Sequence, residues 1–171
     1  QIRSNCTNLS SMQSPASLAV AYRANGRKLT PQRQLIFQLM HENETHPTAE
    51  ELYDQASAQM PGISLRTVYQ TLNELAEMGE LQFIEIGSGA TRFDPNVGDH
   101  HHAVCDSCGQ IRDVHVRGAA ALRPIDSTDF VINEVGVVFR GICSACETSR
   151  RKGSTQRGAK SPVQQAKASK K

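Results

Sequence analysis

A chain of 171 residues, 38% hydrophobic and 21% charged, is long enough to bury one core or two small ones, and no apolar run approaches the roughly 18 residues of a membrane span, which excludes a membrane role. Net charge is +2, but eight of the nineteen Lys and Arg residues follow Glu147, where no acidic residue lies. The body before them carries eleven basic against seventeen acidic groups, which excludes a generally sticky nucleic-acid binder and makes any DNA-binding surface local.

Residues 1–17 are rich in Ser, Asn and Gln, carry Arg3 as their one charge and read as a flexible lead-in, with Met12 as a natural start. They lack the charged start and apolar middle of a secretory signal, so the expected compartment is the cytoplasm. A short helix fits Ala16–Arg23 and stops at Asn25-Gly26. Thr30 as cap and Pro31 at the first helical position then open a helix reaching about Glu42, with Leu35, Ile36, Leu39 and Met40 at helical spacing. The next begins after His46-Pro47, capped by Thr48 with Glu50 and Glu51 in the first turn, and runs to about Met60. Pro61-Gly62 turns the chain, and Ser64 caps a helix whose apolar stripe is Leu65, Val68, Leu72 and Leu75, closed by Gly79. Its other face is polar, with Glu74 and Glu77 pointing to solvent. Leu81–Ile86 and Ala90–Phe93 flank Gly87-Ser88-Gly89 as the arms of a hairpin. Three helices and a hairpin describe a winged helix over 18–95.

After Asp94-Pro95 the chain turns to short β-like segments, His102–Val104, Ile111–Val116 and Phe130–Gly141, with a helix near Gly118–Leu122. These form a second small domain over 96–149, giving an α+β protein overall. From Arg150 to Lys171 no apolar periodicity remains to offset ordering entropy, so a disordered basic tail is expected. Such a tail either adds nonspecific DNA affinity or serves as a solvated, solubilising end.

Four of the five cysteines form two C-x-x-C pairs, Cys105/Cys108 and Cys143/Cys146, while Cys6 stands alone and unassigned. Two such knuckles complete a tetrahedron of sulfur around zinc with no open position, a structural site that supplies on the order of 10 kcal/mol of folding free energy. Buried free thiols or a redox dithiol are the other readings. Beside them lies Asp99-His100-His101-His102, between Asp94 and Asp113. On a strand, His100 and His102 share a face and His101 takes the other. Imidazole and carboxylate there suit Fe(II), Mn(II), Zn(II) or Ni(II) with little intrinsic choice, unless the histidines are solvated surface residues.

Arg66, Thr67, Tyr69 and Gln70 sit near the start of the Ser64 helix, where they reach base edges or phosphates if that helix enters a major groove. Arg23, Arg27, Lys28 and Arg33, in a stretch without acidic residues, form a phosphate-binding patch. A zinc enzyme is the rival from another class, but neither H-E-x-x-H nor H-x-E with P-C-x-x-C is present. A metal carrier would not need the winged helix.

In chain order, His46-Pro47-Thr48-Ala49-Glu50-Glu51-Leu52-Tyr53, Arg66-Thr67-Val68-Tyr69, Arg92-Phe93-Asp94, His100–His102, Cys105-x-x-Cys108-Gly109 and Gly141-x-Cys143-x-x-Cys146 resemble the ferric uptake regulator family. The match runs from about Arg23 to Cys146. The resemblance implies a winged helix followed by an α/β dimerisation domain, no enzymatic activity, and a homodimer that represses from a palindromic operator in double-stranded DNA when metal-loaded. It implies His46, Asp94, His100, His102 and Asp113 as ligands of a regulatory Fe(II) or Mn(II), beside the structural Zn(II). Aspartate at both 94 and 113 is similar to the peroxide-sensing branch, in which bound Fe(II) and hydrogen peroxide convert a ligand such as His46 or His100 to 2-oxo-histidine. Iron-, zinc-, manganese- and nickel-responsive regulators of the same family stay open. His101 and Asp99 depart toward a further metal site of the iron-sensing kind, and the tail is longer than the family needs.

Overall fold

The computed structural model describes residues 11–86, 89–118, 122, 129, 131–132 and 135–155. Four helices come first: α1 (Pro15–Ala24), α2 (Pro31–Met40), α3 (Ala49–Gln59) and α4 (Leu65–Glu77). Each is opened by a hydroxyl, from Ser14, Thr30, Thr48 and Ser64 in turn, which accepts from the backbone N–H three residues on. That bond satisfies one of the free amides at a helix start. At α3 the Glu51 carboxylate also reaches back to the Thr48 amide, completing a capping box. The inward stripes of the helices meet in one core around Leu18, Tyr22, Ile36, Phe37, Leu52, Val68, Leu72 and Leu75, all fully buried.

Strands β1 (Gln82–Ile84) and β2 (Arg92–Asp94) then pair antiparallel, with Phe83 opposite Phe93 and Gln82 opposite Asp94. Residues 87 and 88 of the expected turn lie outside the described residues. The hairpin is the wing, and its β2 edge also bridges back to Thr48.

Packing starts earlier than the lead-in expected over 1–17. Met12 is 4% exposed within the helical core, and its amide donates to the Pro95 carbonyl at 2.7 Å. Gln13 donates from backbone and side chain to Glu80, which is itself buried. One apolar residue among Ser and Gln has no periodicity to reveal it, since its groove is built by residues distant in sequence. Residues 1–10, with Cys6, lie outside the described residues.

The second unit is a three-stranded sheet of β3 (His101–Cys105), β4 (Ile111–Val114) and β5 (Val138–Gly141), in the order β4-β3-β5. β3 runs antiparallel to β4 and parallel to β5. β3 is longer than the expected His102–Val104, but β4 ends at Val114, and of the stretch expected from Phe130 only Val138–Gly141 is strand among the described residues. The helix expected near Gly118–Leu122 falls mostly outside them. Val138 and Phe139 on β5 are 44% and 48% exposed, an apolar edge left open among the described residues.

The chain then enters α5 (Ser144–Thr155), which corrects the expectation of disorder from Arg150. This helix has no apolar stripe to announce it. It starts between the two ligand positions of a C-x-x-C knuckle, is supported by a Glu147–Arg151 pair at 2.9 Å, and has Glu147 in its first turn. The rest of the tail, from 156, lies outside the described residues. No helix among the described residues is long and apolar enough to cross a membrane.

The burial of Met12 yields a direct test. Met12→Ala is expected to lower stability by about 2 kcal/mol, as for methionine truncation in other cores, seen as a lower urea midpoint with an unchanged slope.

Candidate metal centre

Two groups of metal-donor side chains form among the described residues, each with its donor atoms within 4.8 Å of one another. The first unites Cys105, Cys108, Cys143 and Cys146. Parallel pairing of β3 with β5 sets Cys105 opposite Gly141, so both knuckles emerge at the same sheet end. Gly109, at φ 73°, takes the left-handed turn that closes the first knuckle, donating to the Cys105 carbonyl at 2.8 Å. The sulfurs of Cys108 and Cys143 stand 3.8 Å apart, which is about the separation a tetrahedron with 2.3 Å zinc–sulfur bonds requires. The backbone amides of Cys143 and Cys108 donate to the Cys105 sulfur and hold its thiol down to about 6. For Cys146 the Ser107 hydroxyl works in the same direction, but the crowding thiols of Cys143 and Cys108 outweigh it and push the group up to about 12. Four thiolates at such spacing repel one another, and a bound dication supplies the charge that lets all four ionise. The residues therefore fit a closed structural zinc site.

The second group unites His46, Asp94, His100, His102 and Asp113. His46 lies on the loop ahead of α3, Asp94 ends β2, His100 and His102 enter β3, and Asp113 sits on β4 directly opposite His102. The centre thus joins the winged helix to the second sheet. Its Nε2-to-oxygen distances are 2.7 Å for His46 to Asp113, 2.8 Å for His100 to Asp94, and 3.5 Å for His102 to Asp94. The Nε2 atoms of His100 and His102 are 2.9 Å apart.

His46 decides how to read this cluster. It is 1% exposed, and neither ring nitrogen makes a hydrogen bond despite the close Asp113 oxygen. A buried imidazole without partners is costly, and lone pairs that converge without the angles of a hydrogen bond fit a shared cation. Its backbone is also held at φ 51° just before Pro47, a left-handed conformation that side chains and a following proline both disfavour. Arg92 maintains it, donating to the His46 carbonyl at 2.9 Å and to Glu51 of the capping box at 3.1 Å. Strain kept in place by surrounding contacts is typical of a functional position. Burial raises the Asp94 carboxyl, but His102, the Asn96 amide and Gln82 together outweigh it and hold the group below the usual carboxylate range. A mixed nitrogen and oxygen centre with one ionised, buried carboxylate suits a divalent first-row ion.

His101 faces away from this group, buried, with Nδ1 accepting from the Val137 amide at 3.4 Å, and Asp99 is exposed. Neither belongs to a donor group among the described residues, so the further site that they suggested does not assemble there. Arg92, Gln82 and Asn96, which hold the ligands, were missed as functional residues because their contacts span 2 to 46 positions with no periodic signal.

On α4, Arg66, Tyr69 and Gln70 are exposed and line one shallow concavity with Arg27, Asn73, Glu74 and Glu77. Thr67 shares its hydroxyl with the cap Ser64. Arg23 and Lys28 are exposed. Glu74 departs from the expectation that it points to solvent: it accepts from Tyr22, Arg33 and Gln70, and burial pushes its carboxyl up. Arg33 stacks on Tyr22 and pairs with Glu74, with its side chain 12% exposed, so it ties α2 to α4 instead of joining the phosphate patch. Arg27 pairs with Glu77 at 2.7 Å from a more open position.

A profile of the ferric uptake regulator family matches residues 24–129. The peroxide-responsive repressor PerR of Staphylococcus saprophyticus is 33% identical over 127 residues, 73% of this chain and 86% of that protein. Among solved structures, the Campylobacter jejuni peroxide stress regulator aligns with a TM-score of 0.54 at 27% identity, over 79% of this chain and all of that one. The Helicobacter pylori ferric uptake regulator shares the fold, with a TM-score of 0.64 at 19% identity, over 81% and 97% of the two chains.

Ligand removal separates the two centres. Cys143→Ser is expected to lose tightly held zinc and much of the roughly 10 kcal/mol that such an ion supplies, visible as metal content after chelator treatment and a collapsed thermal transition. His46→Ala is expected to keep that zinc while weakening uptake of a second ion by more than about 100-fold, beyond the loss of an outer-shell partner.

Proposed function

The chain belongs to the ferric uptake regulator family, metal-responsive transcriptional regulators and not enzymes, and from that premise we propose a dimeric repressor that releases DNA when peroxide oxidises a histidine of its His/Asp centre. The observation that carries this reading is the convergence of His46 from the winged helix with Asp94 at the end of β2, where the hinge segment 94–100 between the two units begins, and with His100, His102 and Asp113 from the second sheet. A bound Fe(II) or Mn(II) supplies the charge that holds these donors together and, as Fe(II), the electrons that open the O–O bond of peroxide.

His46 does the coupling. It precedes the N-cap of α3, and α3 packs against α4, so engagement of His46 with the other donors fixes α4, the proposed reading helix, relative to the sheet. Ligands drawn from both units favour the closed arrangement by their differential affinity for it. Oxidation at C2 of the His46 or His100 ring replaces C–H by C=O and leaves both ring nitrogens protonated, consuming one hydrogen peroxide and releasing one water. The Nε2 lone pair is then gone and the clasp opens. Two observations support this chemistry: the ligand carboxylates are both aspartates, and the relative at 33% identity carries a peroxide-responsive name.

Arg66, Thr67, Tyr69 and Gln70 are the residues proposed to enter the major groove, with Arg23, Arg27 and Lys28 on flanking phosphates. The uncovered apolar edge at Val138 and Phe139 suits a second copy of the chain, which would space two reading helices for a palindromic operator. Zn(II) in the four-cysteine site holds that sheet together.

The test uses a DNA duplex selected with Mn(II)-loaded protein. Arg66→Ala and Tyr69→Ala are expected to weaken DNA binding by about tenfold or more, the size of a lost base contact, with metal affinity unchanged. A loss of metal affinity instead would sink the placement of α4 on DNA. After peroxide, Fe(II)-loaded protein is expected to gain one oxygen on a peptide containing His46 or His100 and to leave the duplex. Intact histidines beside oxidised cysteines would refute the peroxide step and leave a regulator that reports metal supply.

A further inference from the structure

Asn96 contributes no donor to the His/Asp centre, yet it touches both carboxylates there. Its backbone N–H donates to Asp94 Oδ1 at 2.8 Å, and its side-chain Nδ2 donates to Asp113 Oδ2 at 2.7 Å. The orientation of that side-chain amide is settled by its other end, where Oδ1 accepts from the Gly98 N–H at 3.2 Å. The Gly98 carbonyl in turn lies 2.8 Å from His100 Nδ1. This pairing places the ring proton on Nδ1 and keeps the Nε2 lone pair for the other donors. Gln82 closes the arrangement from β1, donating to Asp94 Oδ2 at 3.0 Å and to the Asn96 carbonyl at 2.6 Å.

The consequence is clearest at Asp113, whose side chain is 31% exposed and which Asn96 tethers to the segment after β2. With Oδ2 engaged by Asn96, the carboxylate turns Oδ1 inward, 2.7 Å from His46 and 3.5 Å from His100. A carboxylate free at both oxygens can rotate or chelate through both. One held by an amide presents a single oxygen in one direction.

Resting on the reading of this cluster as the regulatory metal centre, we infer that Asn96, braced by Gln82 and Gly98, is the positioning residue that makes Asp113 a single-oxygen ligand and so sets the affinity and coordination of the bound divalent ion. Because Asn96 sits in the hinge and Asp113 on β4, the same bond draws the two units together at the centre.

The test compares zinc-loaded wild type, Asn96→Leu, Asp113→Ala and the double variant. Mn(II) affinity is read from free Mn(II) by electron paramagnetic resonance, and Co(II) is used as a visible-absorption probe of coordination. Asn96→Leu is expected to raise the Mn(II) Kd by about 10- to 100-fold, the cost of losing an outer-shell partner. It should also alter the Co(II) bands while leaving zinc content and the metal-free thermal midpoint at wild-type values. In the Asp113→Ala background, Asn96→Leu is expected to change the Kd by less than about twofold, since coupled residues lose their effect when the partner is gone. Wild-type Kd and bands in Asn96→Leu, or an equal loss with and without Asp113, would overturn the inference. Should Asn96→Leu lose zinc or melt early, Asn96→Ala, which adds no bulk, is judged by the same criteria. Wild type that binds neither Mn(II) nor Co(II) would instead remove the regulatory centre itself, and this inference with it.

Discussion

The structure depends on an unmet electrostatic demand between two units. His46 is buried with both ring nitrogens unpartnered, facing the oxygens of Asp94 and Asp113 and, beyond them, two more imidazoles. Imidazoles and carboxylates crowded in this way call for a positive charge among them. Since His46 comes from the winged helix and Asp113 from the sheet, that charge also joins the two.

The rest of the winged helix is arranged to make such a junction matter. Arg92 of the wing holds the His46 backbone and the α3 capping box through one guanidinium. Glu50 at the start of α3 accepts from the Tyr69 hydroxyl of α4 at 2.6 Å. Tyr22 and Arg33 converge on Glu74 and fix the other end of α4 to α1 and α2, with Gln70 of α4 itself adding a bond to the same carboxylate. Helix α4 is therefore held by charged and hydroxyl contacts at both ends, with its apolar stripe in the core.

The four-cysteine site plays a different part. Among the described residues the second unit has a three-stranded sheet whose β5 edge is exposed, with Cys105 and Ile111 as its buried apolar side chains, and a small core of this kind gains from a staple. Cysteines from the ends of adjacent parallel strands and from α5 provide it. A closed sulfur tetrahedron would keep its ion through changes in supply, whereas a mixed nitrogen and oxygen centre of the kind beside it would exchange its ion.

Much of this was readable from residue order alone, because it is carried by short-range rules. Hydroxyl caps, proline at helix starts, apolar spacing in α2 to α4, the paired arms of the hairpin and the paired C-x-x-C knuckles all act within a few positions of themselves. The donor residues of both centres could be named from such motifs and from family resemblance. Tertiary structure alone decided what crosses long separations: the burial of Met12, the inward turn of Glu74, the diversion of Arg33 from solvent, and the hold of Asn96 and Gln82 on the aspartates. It also decided that α5 continues past Arg150, because that helix starts on a metal knuckle and not on an apolar stripe. Local propensity leaves a pattern in the chain, whereas a hydrogen bond between residues tens of positions apart leaves none until packing brings them together.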